Sequence, residues 1–344
     1  MALRPLSLAV LGAAGAVGET VLRALEDQDL PVKSLRLLDA GAAVGTALEF
    51  HGEVVEVEEV KPGSFRGCEI AFFAATGAAA REWAPHAWAE GCAVVDGSPA
   101  FRLDPEVPLV VPEVNPPAAA GYDVRGVVAS PGAAAVHLAL ALKPILDAAG
   151  LERVVVSSCV PASGAGREGV EQLERETRDL MNGREPESGP AIPHRLAFNL
   201  VPQVGSFGEG GRTDEEVGLR EELRRVLALP ELRLASTAVQ VPVFYGNLHL
   251  VNVATRHRIG SAAARDLLRK APGVKLLDAP AERVYPMPML GVGDDAVLVG
   301  RVRDDPTQEH GLELVVAGDN LRKGGATNLV QIARLLAGKY LQAG

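Results

Sequence analysis

The segment Leu6-Ser7-Leu8-Ala9-Val10-Leu11-Gly12-Ala13-Ala14-Gly15-Ala16-Val17-Gly18-Glu19-Thr20-Val21-Leu22-Arg23-Ala24-Leu25 decides how the rest of the chain is read. Leu6 to Leu11 make a nearly continuous apolar run, the pattern of a parallel strand covered on both faces. Glycines follow at 12, 15 and 18, and residues 19–25 have the spacing of an amphipathic helix. Arg4 ahead of small and apolar residues has some likeness to an export signal, but the glycines and the direct entry into a helix favour strand, turn and helix. At such a turn, free backbone N–H groups and the helix dipole favour an anion such as a dinucleotide pyrophosphate. Gly12, Ala13, Ala14, Gly15, Ala16 and Val17 are therefore candidate cofactor-binding residues, although the same glycines would also suit a packing turn without a ligand.

Working outward, Leu35-Arg36-Leu37-Leu38 ends at Asp39, roughly 20 residues past the last glycine, where an acidic side chain in dinucleotide folds can bind ribose hydroxyls. Asp39 favours NAD over NADP, because a 2′-phosphate would meet a carboxylate and Ala40-Gly41-Ala42-Ala43 offers no cation. An exposed strand-end aspartate is the alternative. Strands over 70–75 and Ala93–Asp96 flank a helix over 79–89, the alternation of a doubly wound sheet. After residues Pro116–Val124, a short strand Val127–Ala129 leads through Pro131-Gly132 into a helix reaching Leu146. Longer strands then follow at 153–159, 233–244, 248–255, 296–303 and 312–317, and the charged stretch 171–187 reads as an exposed helix and loop. A last helix over about 326–341 must bury Leu329, Ile332, Leu335 and Leu336. The expected class is α/β. A Rossmann-like nucleotide domain spans 1–128 and is completed by the helix at 326–344, with a second, α+β domain at 129–325.

The chain has 344 residues, a net charge of −10, 47% hydrophobic and 23% charged residues, values that suit a two-domain globular protein and argue against a nucleic-acid binder. No stretch reaches the ~18 to 20 apolar residues of a membrane span. Cys68, Cys92 and Cys159 form no CxxC and are too few to staple such a chain, which fits a reducing, cytoplasmic setting. All three read as apolar packing residues, Cys159 because strand alternation turns it away from its neighbour Val160. His51, His86, His194, His257 and His310 are scattered without ligand spacing, so no metal is expected. Neither Ser98 nor Ser130 lies in a Gly-x-Ser-x-Gly elbow.

Several motifs come together in order along the chain: the glycine turn at 12–18, Ala100-Phe101-Arg102-Leu103-Asp104, Val110-Val111-Pro112-Glu113-Val114-Asn115, Ser163-Gly164-Ala165-Gly166, Ala197-Phe198-Asn199 and Asp319-Asn320-Leu321-Arg322-Lys323-Gly324. Together they resemble the aspartate-semialdehyde dehydrogenase family over essentially the whole chain. The resemblance implies an N-terminal cofactor domain to which Ser163, Gly164 and Asn320 also contribute, and a second domain that carries the substrate site and pairs two subunits. It further implies a reaction in which a cysteine thiolate at a helix N-terminus forms a thioester from an acyl phosphate, and nicotinamide hydride releases a semialdehyde.

The family's Asn-Pro-Asn-Cys falls on Ser130-Pro131-Gly132-Ala133, so the thiolate position holds a methyl group. The family's glutamine falls on Val160, its carboxylate-binding arginine on Gln240, its acid/base histidine on Asn247 and its phosphate-binding lysine on Gly218. Its Gly-Ala-Thr-Gly has alanine at Ala14 here, and its serine and arginine for the 2′-phosphate fall on Ala40 and Ala42. Arg102 is retained as an anion or substrate contact, and Glu215 is a second candidate; a salt bridge from Arg102 to Asp104 or another loop acid is the competing reading. The pattern is similar to that of Usg-type, cysteine-less paralogues. The expectation is a pseudoenzyme: a non-catalytic homodimer that binds NAD or NADP, with NAD favoured, and has room for a small anionic ligand. A direct, thioester-free NAD-dependent oxidoreductase using His249 as proton donor is an alternative, since His249 lies two residues beyond Asn247 on the same strand face, roughly 7 Å away. A structural or regulatory dimer without nucleotide is another. His137, one helical turn after Ala133, faces the same side of its helix.

Overall fold

In the computed structural model, residues 3–28, 30–187 and 189–341 are described; the ends of the expected N-terminal domain and of the 326–344 segment, with position 29, lie outside them, as does position 188 of the expected second domain. The chain separates into two units, Met1–Gly132 with Gly325–Gly344, and Ala133–Gly324.

The first unit holds β1 (Leu6–Leu11), α1 (Ala16–Asp27), β2 (Val32–Asp39), β3 (Ala47–Phe50), β4 (Glu53–Glu59), β5 (Ile70–Phe73), α2 (Gly77–Ala89), β6 (Ala93–Asp96) and β7 (Val127–Ala129). They make one sheet in the order β3-β4-β2-β1-β5-β6-β7, parallel except for β3. All six residues of β1 are buried, Ser7 among them, as its nearly continuous apolar run requires. Val21, Leu22, Ala24 and Leu25 of α1 enter the same core as Leu329, Ile332, Ala333 and Leu336 of the C-terminal helix, Asn328–Lys339. The antiparallel β3–β4 ribbon escapes the sequence reading because its few apolar residues are interspersed with glutamates without a clear period and most positions are exposed.

The second unit contains α3 (Ala133–Ala149), β8 (Leu151–Val160), α4 (Gly166–Met181), α5 (Asp214–Val226), β9 (Arg233–Gln240), β10 (Asn247–Thr255), α6 (Ser261–Lys270), β11 (Val274–Leu276), α7 (Pro288–Gly291), β12 (Val297–Asp304) and β13 (Gly311–Gly318); the C-terminal helix named above is α8. Its mixed sheet runs β11-β12-β13-β10-β8-β9. α3, α5 and α6 pack on one face. On the other, Leu250 is 49% exposed and Ser157 and Thr237 are exposed beside half-buried Val155, Leu248 and Val315. Such an apolar-centred sheet face is the kind of surface proteins use for association.

Two expectations change here. Residues 171–187 are not wholly exposed: Gln172, Leu173 and Glu176 of α4 are buried. Glu176 accepts the backbone N–H groups of Leu196 and Ala197 at 2.8 and 3.0 Å, and Gln172 bonds both backbone groups of Ile192. A polar stripe on this helix therefore anchors an irregular segment instead of facing water. The strand expected to run through 244 stops at Gln240, ahead of Pro242, and the backbone of residues 243–244 turns to accept the N–H groups of Ala162 and Ser163.

Between α3 and the sheet lies a hydrogen-bonded chain of fully buried groups. Ser158 Oγ is 2.9 Å from His249 Nδ1, His249 Nε2 is 3.4 Å from His137 Nδ1, and His137 Nε2 is 3.3 Å from the carbonyl of Asp319. The terminal carbonyl only accepts, so Nε2 of His137 carries the proton, Nε2 of His249 donates to His137, and Ser158 donates to His249. Both imidazoles are thereby held neutral. Burial pushes His137 down to about 4 against the pull of Asp319, and burial followed by His137 itself pushes His249 well below its ordinary value.

The unfolded chain takes up protons near pH 6.5, whereas folded His137 resists them until about pH 4. Stability contributed by the neutral pair is thus present above pH 6.5 and lost as the pH falls toward 4. Unfolding free energies of wild type and His137→Gln, whose amide keeps a donor and an acceptor, should diverge across that window. Wild type is expected to lose up to about 3 kcal/mol more, while parallel pH profiles would show that the pair is not held neutral.

Candidate functional site

Both units present candidate groups at the carboxyl ends of their parallel strands. In the first unit, Gly12 at the end of β1 has φ +79°, and a Cβ there would lie 2.7 Å from the carbonyl oxygen of Ala74. A Cβ at Gly18 would come within 2.2 Å of the carbonyl oxygen of Gly12, so α1 begins directly against the turn. Gly15 precedes α1 in extended conformation and no side chain caps the helix. The cradle fits the pyrophosphate of a dinucleotide: a helix first turn without a side-chain cap, and backbones in close approach.

Asp39, at the end of β2, accepts the Ala14 N–H at 3.2 Å and the Ala40 N–H at 2.9 Å. Its carboxylate is thereby fixed beside the turn, and Ala40 and Gly41 next to it are exposed. At the end of β6, fully buried Asp96 accepts from the Ser98 N–H at 3.1 Å and the Ser98 hydroxyl at 2.9 Å. Burial outweighs these bonds and the Arg102 and Arg81 charges, and pushes Asp96 up to about 6. Ser98 in turn accepts the Ala100 N–H, and Arg102 Nη2 donates to the Gly97 carbonyl at 2.8 Å. Asp104 faces Arg125 and caps the Glu106 N–H, so the loop acid beside Arg102 in sequence is engaged elsewhere. Asp96 is the group that sequence reasoning passed over; its signal is an acidic residue closing the apolar run 93–96.

In the second unit, strand register sets out the site. Val160 pairs with Gln240 across β8 and β9, and Asn247 pairs with Gly318 across β10 and β13. Leu248 pairs with Cys159, which carries Asn247 to the level of Val160. Gly318, Asn247, Val160 and Gln240 thus form one row across four adjacent strands, their side chains on the helix-covered face. His249 and Ser158 belong to the next row inward on that face, below His137.

The start of α3 closes over the row. A Cβ at Gly324 would lie 2.5 Å from Ala133 Cβ and 3.0 Å from His137 Nε2, and one at Gly318 would lie 2.7 Å from the same nitrogen. Val160, Gln240 and Asn247, widely separated in sequence, are therefore brought into one row, and Ala133 at the head of α3 abuts Gly324. Asn320 ties the surrounding loops, bonding Ser163 Oγ and accepting the Gly246 N–H at 3.0 Å. A Cβ at Gly164 would meet Val160 at 2.6 Å. Glu215 lies half-buried in the first turn of α5, which packs on β9. Lys323, fully buried, acts electrostatically on His137.

The row has no charged side chain and no thiol. Gln240 donates through Nε2 to the Pro161 carbonyl at 2.5 Å. Cys159 points to the opposite, open face, is half-buried rather than buried, and has its thiol pushed up by burial. Cys68 and Cys92 are buried in the first unit, both pushed up by burial. His249 is sealed in the interior, so the proton it holds has no opening toward a substrate. Among the described residues no group of three or more His, Cys, Asp or Glu is placed to hold a metal, and no helix is long and apolar enough to cross a membrane.

Comparison with known proteins agrees with both units. Residues 7–122 match the family model described as semialdehyde dehydrogenase, NAD binding domain, and residues 142–323 match semialdehyde dehydrogenase, dimerisation domain. A protein named aspartate-semialdehyde dehydrogenase from Aquifex aeolicus is 42% identical over 330 residues, covering 96% of this chain and 97% of that protein. The crystal structure of aspartate semialdehyde dehydrogenase II from Vibrio cholerae superposes with a TM-score of 0.95 at 39% identity, over 98% of this chain and 100% of that one. A structure of the same enzyme complexed with ASA gives 0.96 at 39% identity, with the same coverage. With its two-domain α/β fold, its nucleotide turn and its row of strand-end residues, the chain belongs to the aspartate-semialdehyde dehydrogenase family.

Proposed function

We propose that this chain is a cysteine-less, non-catalytic member of the family, a pseudoenzyme that keeps the nucleotide-binding domain and the homodimeric scaffold without the thioester chemistry. The relatives are named for an enzyme; the proposal departs from those names on this chain's own residues. The observation that carries it is Ala133 at the head of α3, with no thiol in the row around it. A methyl carbon has no lone pair, so it cannot attack an acyl phosphate or hold an acyl group. Gln240 offers one neutral amide where bidentate carboxylate recognition needs a guanidinium, and Asn247 exchanges no proton near neutral pH.

The nucleotide domain, 1–128 with 326–344, would hold the cofactor on the turn at Gly12, Ala13, Ala14, Gly15, Ala16 and Val17, with Asp39 against the adenosine ribose. When bound, the cofactor would supply hydride chemistry; this chain's residues bind and orient it. Arg102 remains as a contact for a small anionic ligand, with Glu215 as a second candidate. The open sheet face centred on Leu250 supports association of two copies through the second domain.

Two experiments test this reading. Ala133→Cys alone is expected to leave phosphate-dependent oxidation of aspartate semialdehyde at background. A thiol there would have His137 nearby, but Nε2 of that imidazole is already protonated and bonded to Asp319, so it cannot take the thiol proton. Robust turnover by the single variant would contradict the proposed loss. In calorimetric titrations, NAD should bind at least about tenfold more tightly than NADP, since Asp39 repels a 2′-phosphate. Asp39→Asn should narrow the ratio, whereas preference for NADP, or binding of neither, would overturn the cofactor assignment.

A further inference from the structure

At the amino ends of β8 and β9 the surface of the second unit opens into a cavity of about 230 Å³. The ten residues of β8 set it roughly 30 Å from the row at the carboxyl end of that strand. Its apolar lining comes from buried Leu151 and Leu232, with half-buried Leu229 and the ring of Pro230 beside them. The loop between α5 and β9 makes one wall and is tied down. Arg224 donates through Nε and Nη2 to the Leu232 carbonyl, both at 3.0 Å, while the N–H groups of Leu229 and Leu232 bond to the carbonyls of Arg224 and Leu229.

Four charged side chains also line the cavity: Glu152, Glu231, Arg233 and Arg256. Arg233 Nη2 donates to Glu152 Oε1 at 2.6 Å, so those two satisfy one another. The side chains of Arg256 and Glu231 make no hydrogen bond or ion pair among the described residues. The Arg256 stem is held all the same. A Cβ at Gly150, whose φ is +67°, would lie 3.1 Å from Arg256 Cδ and 3.3 Å from its Cβ and Cγ, so the stem lies along bare backbone. The N–H groups of Arg256 and His257 bond to the carbonyls of Gly150 and Ala149, which fixes where that stem begins. Holding an arginine stem costs rotamer entropy, and here the guanidinium at its end has gained no partner within the chain.

We propose that this cavity binds a free aliphatic α-amino acid. Its carboxylate pairs with Arg256, its ammonium with Glu231, and its side chain covers Leu151, Leu229 and Leu232. The charges select that class. With Glu152 and Arg233 paired, one cation and one anion remain, so a zwitterion leaves neither unmatched, whereas a simple carboxylate faces Glu231 and a simple amine faces Arg256. A phosphate finds a single free guanidinium with a carboxylate beside it, too little for the multidentate contacts that hold such an anion. The size agrees, since pockets for drug-sized ligands begin at about 300 Å³. The inference goes beyond the proposed function and is independent of it, because no residue of the cavity belongs to the nucleotide turn or to the strand-end row.

The test titrates the full-length protein, with methyl-labelled leucines, against three probes: L-leucine, 4-methylpentanoate, which lacks the ammonium, and 3-methylbutylamine, which lacks the carboxylate. L-Leucine should shift the methyl resonances of Leu229 and Leu232 saturably, with a dissociation constant in the millimolar range expected of so small a ligand at an open site. Each truncated probe should bind about fivefold or more weakly than L-leucine, and L-leucine should weaken by as much in Arg256→Gln and in Glu231→Gln. The Glu231 side chain is exposed and makes no contact that folding needs, so Glu231→Gln decides the matter if Arg256→Gln disturbs the packing on Gly150. No saturable shift at these methyl groups, or an equal response to L-leucine and 4-methylpentanoate, would overturn the proposal.

Discussion

The second unit is organised by the close approach of the head of α3 to two bare backbone positions, Gly318 and Gly324. A side chain at either would collide with His137, and at Gly324 with Ala133 as well. That contact sets the height of α3 over the sheet, and strand register then fixes which residues lie beneath it. Positions 160, 240, 247 and 133 are gathered by backbone geometry, so their identities can change without moving them. Alanine, valine, glutamine and asparagine occupy these positions in a scaffold that superposes on the Vibrio cholerae structure with a TM-score of 0.95.

The two rows beneath α3 show opposite solutions to polar groups in an interior. The inner row is complete: a carbonyl sets one tautomer, which sets the next, and Ser158 closes the chain, so two imidazoles lie buried at little electrostatic cost. The outer row is incomplete, with one amide oxygen unmatched. Both histidines are accounted for by packing and by their bonds to one another and to Asp319.

Much of this was legible in the sequence. Leu6 to Gly18 specified the nucleotide-binding strand, turn and helix because the apolar run, the glycines and the amphipathic spacing agree. The four row positions could be placed by motif, since each lies at a strand or helix end beside a recognisable turn. Three features could not. The β3–β4 ribbon is mostly exposed and carries little hydrophobic signal. Glu176 looks like a solvated helix residue, and only the fold brings Leu196 and Ala197 to it. His249 has the right strand face for a proton donor, but the overlying His137 comes from another element and seals it in.

The central claim of the proposal is that no residue of the row beneath α3, nor Ala133 at its head, takes up an acyl group. Intact-mass measurement of the wild-type protein, incubated with aspartate semialdehyde and NAD or NADP in the absence of phosphate, tests this most directly, because a family enzyme would stall as its thioester. The account predicts an unchanged mass after desalting. A stoichiometric acyl adduct released by hydroxylamine would contradict it.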